Sequence, residues 1–309
     1  MISENDPLGV SLDDLDAEID ALCEPPMPTP AAPLEFEPPA IVDGLENERY
    51  HADTDSVGVG GLRLVAKSPL HHWYACRREE RELADPTPAQ RLGTAIHAAI
   101  LEPDRFASSY CVSPQIDRRT KDGKLAYTAF LNSALGRETI STRDHEIASA
   151  VAKEVRTSEL GQMLLHDGRA ELSVYWTDRA TGVRCRMRPD FVPNAHPVLI
   201  DIKSCADADD RQFGVAAWRN GYHVTAAWYV DGWRAATGEK RDYYFVALEK
   251  EPPYASAWFY ASDDLLEAGR TEYRRLLKIY AECLAADSWP GYYAQLQELN
   301  PPAWAMDKD

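Results

Sequence analysis

Six cysteines are scattered through the 309 residues without a single C-x-x-C pair, so the ligand spacing of a zinc site or a cysteine-held iron–sulfur cluster is missing. No stretch approaches the ~20 apolar residues of a membrane-spanning helix. The opening MISENDPLGV lacks the basic-then-apolar layout of a secretion leader. Reduced thiols in a cytoplasmic protein are the expectation, with no membrane partner. Basic charge is scarcest at the start, where residues 1–56 hold fifteen Asp or Glu against the single base Arg49. That segment carries most of the net charge of −17, because the remaining residues balance 35 acids against 32 bases. A near-neutral body can still carry a basic groove, so total charge does not exclude a nucleic-acid partner, whose phosphates bind local Lys and Arg.

Residues 1–56 also contain eight of the 21 prolines, too broken and acidic to bury a core. They are expected to form a disordered arm ahead of one domain spanning 57–309. Within the arm Leu12, Leu15, Ile19 and Leu22 fall at helical spacing, which suits a short helix docking on a partner or a solvated tail alike.

From 57 the pattern turns helical: GLRLVAKSP, LHHWYACRREERE, and TPAQRLGTAIHAAILEP between Pro88 and Pro103. In the third, Leu92, Ala95, Ile96, Ala99 and Ile100 form the apolar stripe, with Gly93 and His97 beside it one turn apart. Helices are expected again near 122–136 and 143–166. The period then becomes alternating. AELSVYWT, VRCRMRPDF and PVLIDIK read as three successive strands, the first two a hairpin turning at Gly182. Helices near 207–236, strands at YYFVALE and YASAWFY, and a long helix over 263–286 complete an α/β or α+β sheet flanked by helices. No internal repeat is evident.

Side chains alternate across a strand, which puts Leu199, Asp201 and Lys203 on one face and Val198, Ile200 and Ile202 on the other. The same parity sets Glu171, Ser173 and Tyr175 on one face of the first strand. Charges at a sheet mouth are costly unless paired or bound to metal. Asp201 with Lys203 alone could be an ion pair capping a strand end. With Glu171 upstream and Asp190 directly after a proline, the set reads as the P-D…D-x-K arrangement of metal-dependent nucleases. There two carboxylates and a backbone carbonyl hold Mg²⁺, a hard ion that prefers oxygen ligands. Arg184, Arg186 and Arg188 alternate on one face and end beside Asp190, where they could grip a DNA backbone or be solvated or paired with Glu171.

In order, LVAKSPLHHWY, LGTAIHAAILEPDRF, GRAELSVYW, RMRPDFV, LIDIKS, QFGVAAWRNGYHVTAAWYVDG and WPGYY resemble the RecE-type exonucleases of phages and prophages, within the PD-(D/E)xK nuclease superfamily. The glycine-rich DSVGVGGLRL departs from the Ser-containing opening usual there. The resemblance implies a restriction-endonuclease-like core, a central mixed β-sheet flanked by helices with extra N-terminal helices. It implies that Asp190, Asp201, the Ile202 carbonyl and Glu171 hold Mg²⁺ (Mn²⁺ can substitute), that His97 lies near or on the metal, and that Lys203 is catalytic. For His97, a hydrogen-bonded core histidine is the plain alternative. Gln212, Tyr222 and Tyr229 align with polar positions behind the family's site and either orient the lysine, touch DNA or pack. His71, His72 and Trp73 could touch DNA, although helix packing suits them better. The implied activity is 5′ to 3′ digestion of linear double-stranded DNA, leaving 3′ strands for a RecT-like annealing partner, by a homo-oligomeric ring, a tetramer by preference. A superfamily nuclease with another substrate, or a DNA-end-binding module without turnover, are the alternatives.

Overall fold

Proline-rich though it is, the stretch just before residue 57 contributes structure. The computed structural model describes residues 36–78, 86–293 and 295–301. Within it, strand β1 (Ala40–Val42) and helix α1 (Asn47–Ala52) already lie upstream of 57. The expected arm is therefore corrected over residues 36–56, while the Leu12–Ile19–Leu22 pattern lies outside the described residues. Helices α2 (Val59–Lys67), α3 (Pro69–Cys76), α4 (Pro88–Leu101) and α5 (Pro103–Ser109) follow. Their starts are written locally. Ser68 accepts from the His71 amide ahead of Pro69, and Thr87 forms a reciprocal capping box with Gln90 ahead of Pro88, satisfying amides that have no partner inside a helix.

Next come β2 (Tyr110–Val112), α6 (Lys121–Ser133), β3 (Glu138–Ile140), α7 (Thr142–Thr157) and α8 (Glu159–Leu164). The single helix expected over 143–166 is two, because Ser158 turns extended and its hydroxyl caps α8 at the Gly161 amide, 3.0 Å away. The strand region runs β4 (Gly168–Ala170), β5 (Ser173–Thr177), β6 (Arg184–Met187), β7 (Phe191–Pro193) and β8 (Val198–Cys205). Helices α9 (Asp210–Arg219) and α10 (Tyr222–Thr237) join at Gly221, whose φ of 66° opens the second helix. Strands β9 (Asp242–Glu249) and β10 (Ser256–Tyr260) and helix α11 (Asp263–Ala286) close the chain.

The three strands expected between 170 and 203 are five, shared between two sheets. One sheet has the order β1-β5-β6; the other, β10-β9-β8-β7-β4, is mixed, with β8 and β9 parallel and its other neighbours antiparallel. The expected hairpin is present, Thr177 facing Arg184 and Val174 facing Met187. The break at Glu171 is a departure from the expected strand. Glu171 has φ 50° and its amide donates to the Asp190 carbonyl at 3.0 Å, so the chain crosses between sheets there. A left-handed residue cannot obey strand parity, and the common face proposed for Glu171, Ser173 and Tyr175 does not exist.

The parity of β8 does hold. Val198, Ile200 and Ile202 pack with Ile96, Ile100, Val151 and Val246 in the core beneath α4 and α7. Leu199 joins the opposite core with Trp228, Tyr243, Phe245 and Leu276, beneath α10 and α11. Burying one such aliphatic side chain contributes about 1.5–3 kcal/mol, which is why a strand covered on both faces tolerates charge only where it is paired, as Asp201 is with Lys203. Among the described residues no helix is long and apolar enough to cross a membrane.

Candidate active site

Three segments deliver the charged groups. Helix α4, anchored by buried Ile96 and Ile100 against β8, carries His97, with open space around Gly93 one turn earlier. The crossing after β4 supplies Glu171, and the opposing break between β6 and β7 supplies Asp190. His97 Nδ1 lies 3.7 Å from Asp190 Oδ2 and 3.9 Å from Glu171 Oε1. One ligand atom from each of the three residues falls within 4.8 Å of the others, the spacing of donors around one ion. Asp190, only 8% exposed, is held from β8: its Oδ2 accepts from the Ile202 amide at 2.6 Å.

Asp201 stands one residue before that amide. It is 2% exposed, and its Oδ2 pairs with Lys203 Nζ at 2.6 Å. The Lys203 ammonium also donates to the Ile202 carbonyl at 3.4 Å and lies 5.4 Å from the Tyr222 ring centroid. The ion pair considered from sequence is thus present, set directly beside the acidic cluster. Asp201 itself is outside the three-residue donor group. Burial raises the Asp201 pKa, with Lys203 opposing and the Asp190 charge reinforcing it. For His97, burial disfavours the cation, but the charges of Asp190 and Glu171 prevail and its pKa rises. Lys203 shows the same contest, burial against Asp201 and Asp190, with the same upward result. The pocket holds excess negative charge, and every cation in it is strengthened.

The residues named as DNA-contacting or supporting fare differently. Tyr229 braces the cluster from α10, its hydroxyl donating to the Arg188 carbonyl at 3.1 Å. Tyr222 packs between Lys203 and the rings of Phe213 and Phe245. Gln212 is exposed on α9. The arginine stripe is a correction. Arg184 donates to the Phe36 carbonyl, Arg186 to the Asp53 carbonyl with an ion pair to its carboxylate, and buried Arg188 to Ser173, Asn47 and the Leu45 carbonyl. The Tyr50 ring lies beneath the last two, 4.8 and 4.0 Å from their guanidinium carbons. These side chains fasten residues 36–53 to the small sheet instead of facing a ligand. An arginine fork finds backbone carbonyls as readily as phosphates, and strand parity cannot tell the two apart. His71 bonds to Ser68 Oγ at 2.6 Å, and His72 to the Gly61 carbonyl while stacking on Trp289, the packing roles favoured from sequence.

Sequence reasoning missed Tyr243. It pairs with Leu199 across β8 and β9, is fully buried, and its hydroxyl is pushed well up by burial, with the Asp201 charge adding to this. The signal was available, since Tyr243, Phe245 and Ala247 alternate onto the face that carries Asp201.

A histidine and two carboxylates beside an Asp-x-Lys segment of the central strand β8 is the arrangement of a PD-(D/E)xK site. Residues 59–299 match the family described as a PDDEXK-like domain of unknown function, DUF3799. The chain belongs to that family. Among solved structures, this PDDEXK-like chain resembles a protein from Eubacterium rectale named "Putative exonuclease", at 15% identity and a TM-score of 0.57, over 85% of this chain and 97% of that one. At that identity the likeness shows a shared fold, the restriction-endonuclease-like one. The alkaline exonuclease of Laribacter hongkongensis is also matched at 15% identity, over 63% of this chain and 97% of that one, with a TM-score of 0.26. No curated protein matches the chain.

Proposed function

We propose that this PDDEXK-like protein is a Mg²⁺-dependent exodeoxyribonuclease that digests linear double-stranded DNA from its ends, 5′ to 3′, in the cytoplasm. The observation that carries the reading is the convergence of His97, Glu171 and Asp190 within 4.8 Å, beside a Lys203 held at 2.6 Å by Asp201. The donors fit the ion: carboxylate oxygens suit a hard divalent cation, and the surplus of negative charge needs one. Asp190 and Glu171 would hold it, with His97 and the Ile202 carbonyl beside them and Asp201 adjoining. An ion held by these residues would supply Lewis-acid polarisation of a phosphoryl oxygen and activation of the attacking water.

The chain's own groups do the rest. The Ile202 amide fixes the Asp190 carboxylate in one orientation. Asp201 keeps Lys203 protonated and aimed, so that its ammonium can orient a water and offset charge developing on the phosphoryl oxygens. Tyr229 holds the backbone two residues ahead of Asp190. The resemblance of the seven sequence blocks to RecE-type enzymes supports exonucleolytic direction, Mn²⁺ as a substitute ion, a ring-shaped homo-oligomer such as a tetramer, and a RecT-like annealing partner for the 3′ strands left behind.

The test is digestion of end-labelled linear duplex with Mg²⁺, Mn²⁺ or chelator, comparing a 5′-phosphorylated end with a blocked one and linear with closed circular DNA. Metal-dependent release of mononucleotides from the 5′ end of linear DNA alone is expected. Equal cutting of closed circles, or no cutting with any divalent ion, overturns the assignment.

A further inference from the structure

A cavity of about 710 Å³ opens away from the acidic cluster, between the β5–β6 turn and helices α10 and α11. Four arginines line it, Arg179, Arg234, Arg270 and Arg274, against two aspartates, Asp178 and Asp231. Both carboxylates are occupied. Asp178 Oδ2 accepts from the amides of Ala180 and Thr181 and from the Thr181 hydroxyl, closing the turn. Asp231 takes two hydrogen bonds from Arg270, at 2.7 and 2.9 Å, and one from Tyr273 at 2.6 Å. Arg270 is consumed in return, its remaining nitrogen on Glu267. The guanidiniums of Arg179 and Arg234 make no hydrogen bond or ion pair among the described residues, and Arg274 is held loosely, 3.9 Å from Asp231 and 6.0 Å from the Tyr273 ring centroid. Three forks are left exposed at the rim of a cavity in a chain whose net charge is −17.

The floor is rigid. Trp176 and Trp228 are buried and lie 4.9 Å apart, and a Cβ at Gly232 would come within 2.5 Å of the Trp176 ring. Helix α10 connects this cavity to the candidate active site, since Tyr222 near its start adjoins Lys203 and Arg234 near its end lines the cavity. Twelve helical residues span about 18 Å at ~1.5 Å each, roughly five base-pair steps at ~3.4 Å.

We propose that Arg179, Arg234 and Arg274 form a second phosphate-binding site that grips the DNA backbone several base pairs from the reacting end. This rests on the nuclease reading for its ligand. Planar guanidiniums take phosphate oxygens in pairs, and a grip at fixed distance from the reacting end sets the register of the duplex without reading bases.

Full-length wild type and the triple variant Arg179→Ala/Arg234→Ala/Arg274→Ala are compared for binding of linear duplex in chelator, across a salt series. The variant is expected to bind roughly tenfold more weakly, and its plot of log affinity against log salt to be shallower by about 0.9 for each phosphate it no longer neutralises. Asp190→Asn should keep the wild-type slope while losing cleavage. Identical affinity and slope in the triple variant, with an unchanged unfolding midpoint, overturn the proposal. So does the finding that amides in place of the nine acids of residues 1–35 erase the difference, which makes that segment the occupant. A wild type that cleaves nothing while the slope difference persists refutes the enzymatic reading and supports the site.

Discussion

Two charge clusters lie at different places along helix α10, and they are built on opposite principles. The Asp231 carboxylate itself is fully partnered: it accepts three hydrogen bonds from Arg270 and Tyr273. Burial would raise the Asp231 pKa, but Arg270 and Tyr273 outweigh it and hold it below the ordinary carboxylate value. Around Asp190, three carboxylates share one lysine and a histidine, and the Asp201 pKa is pushed up. A carboxylate closed off by its own partners, as Asp231 is, is structural. The second kind is electrostatically unfinished, and a bound cation would balance it. Buried acid alone does not distinguish a site from a strut; the balance of partners does.

The largest expected effect tests that contrast directly. Asp190→Asn keeps an acceptor for the Ile202 amide but removes the charge, and should lower cleavage of linear DNA by about a thousandfold or more, the several kcal/mol a metal contributes. Its unfolding midpoint should stay close to that of the wild type. A midpoint that collapses would make Asp190 another Asp231. Next, adding divalent ion should stabilise the wild type by about 2.7 kcal/mol at a hundredfold excess over the dissociation constant, and Asp190→Asn hardly at all, as read by thermal unfolding with and without chelator.

Asp231→Ala should cost about 2 kcal/mol, because charged hydrogen bonds are removed and a half-buried Arg270 is left with Glu267 as its one remaining partner, with metal-dependent stabilisation unchanged. Its pH dependence has a definite sign. Asp231 has a depressed folded pKa, so its contribution is present above the unfolded value, near 3.9, and disappears as pH falls through the lower folded one. The stability gap between wild type and Asp231→Ala, measured by urea unfolding, should be level at neutral pH and shrink below about pH 4. A gap that widens in acid contradicts this. Smallest is Tyr229→Phe, which removes one hydrogen bond to the Arg188 carbonyl at a cost of about 1 kcal/mol. The effect should appear in kcat more than in stability if that bond positions Asp190.

Much of this was legible in the chain itself. The alternation in VLIDIK placed Leu199, Asp201 and Lys203 on one face, because period-2 geometry is local and a strand buried on both sides leaves no freedom to slip. The helix stripe Leu92–Ile100 was equally local. The partners of the arginines in and just after β6 were not legible: parity put Arg184, Arg186 and Arg188 on one face, but what lay across from them was Phe36, Tyr50 and Asp53, more than 130 positions away in the chain. The failure at Glu171 has a related cause. Its left-handed backbone is tied by a bond to Asp190, nineteen positions on, and no glycine or proline at 171 announced the break.

The sequence alone determined the chemical inventory: which strand carries the Asp-x-Lys end, which helix carries the histidine, and which of their faces are apolar, since these follow from spacing and side-chain type. Only the tertiary structure decided that His97, Glu171 and Asp190 meet within reach of one ion, that the β6 arginines serve the chain itself, and that Arg179, Arg234 and Arg274 share a cavity. Proximity across long stretches of chain is a property of packing, and no local period encodes it.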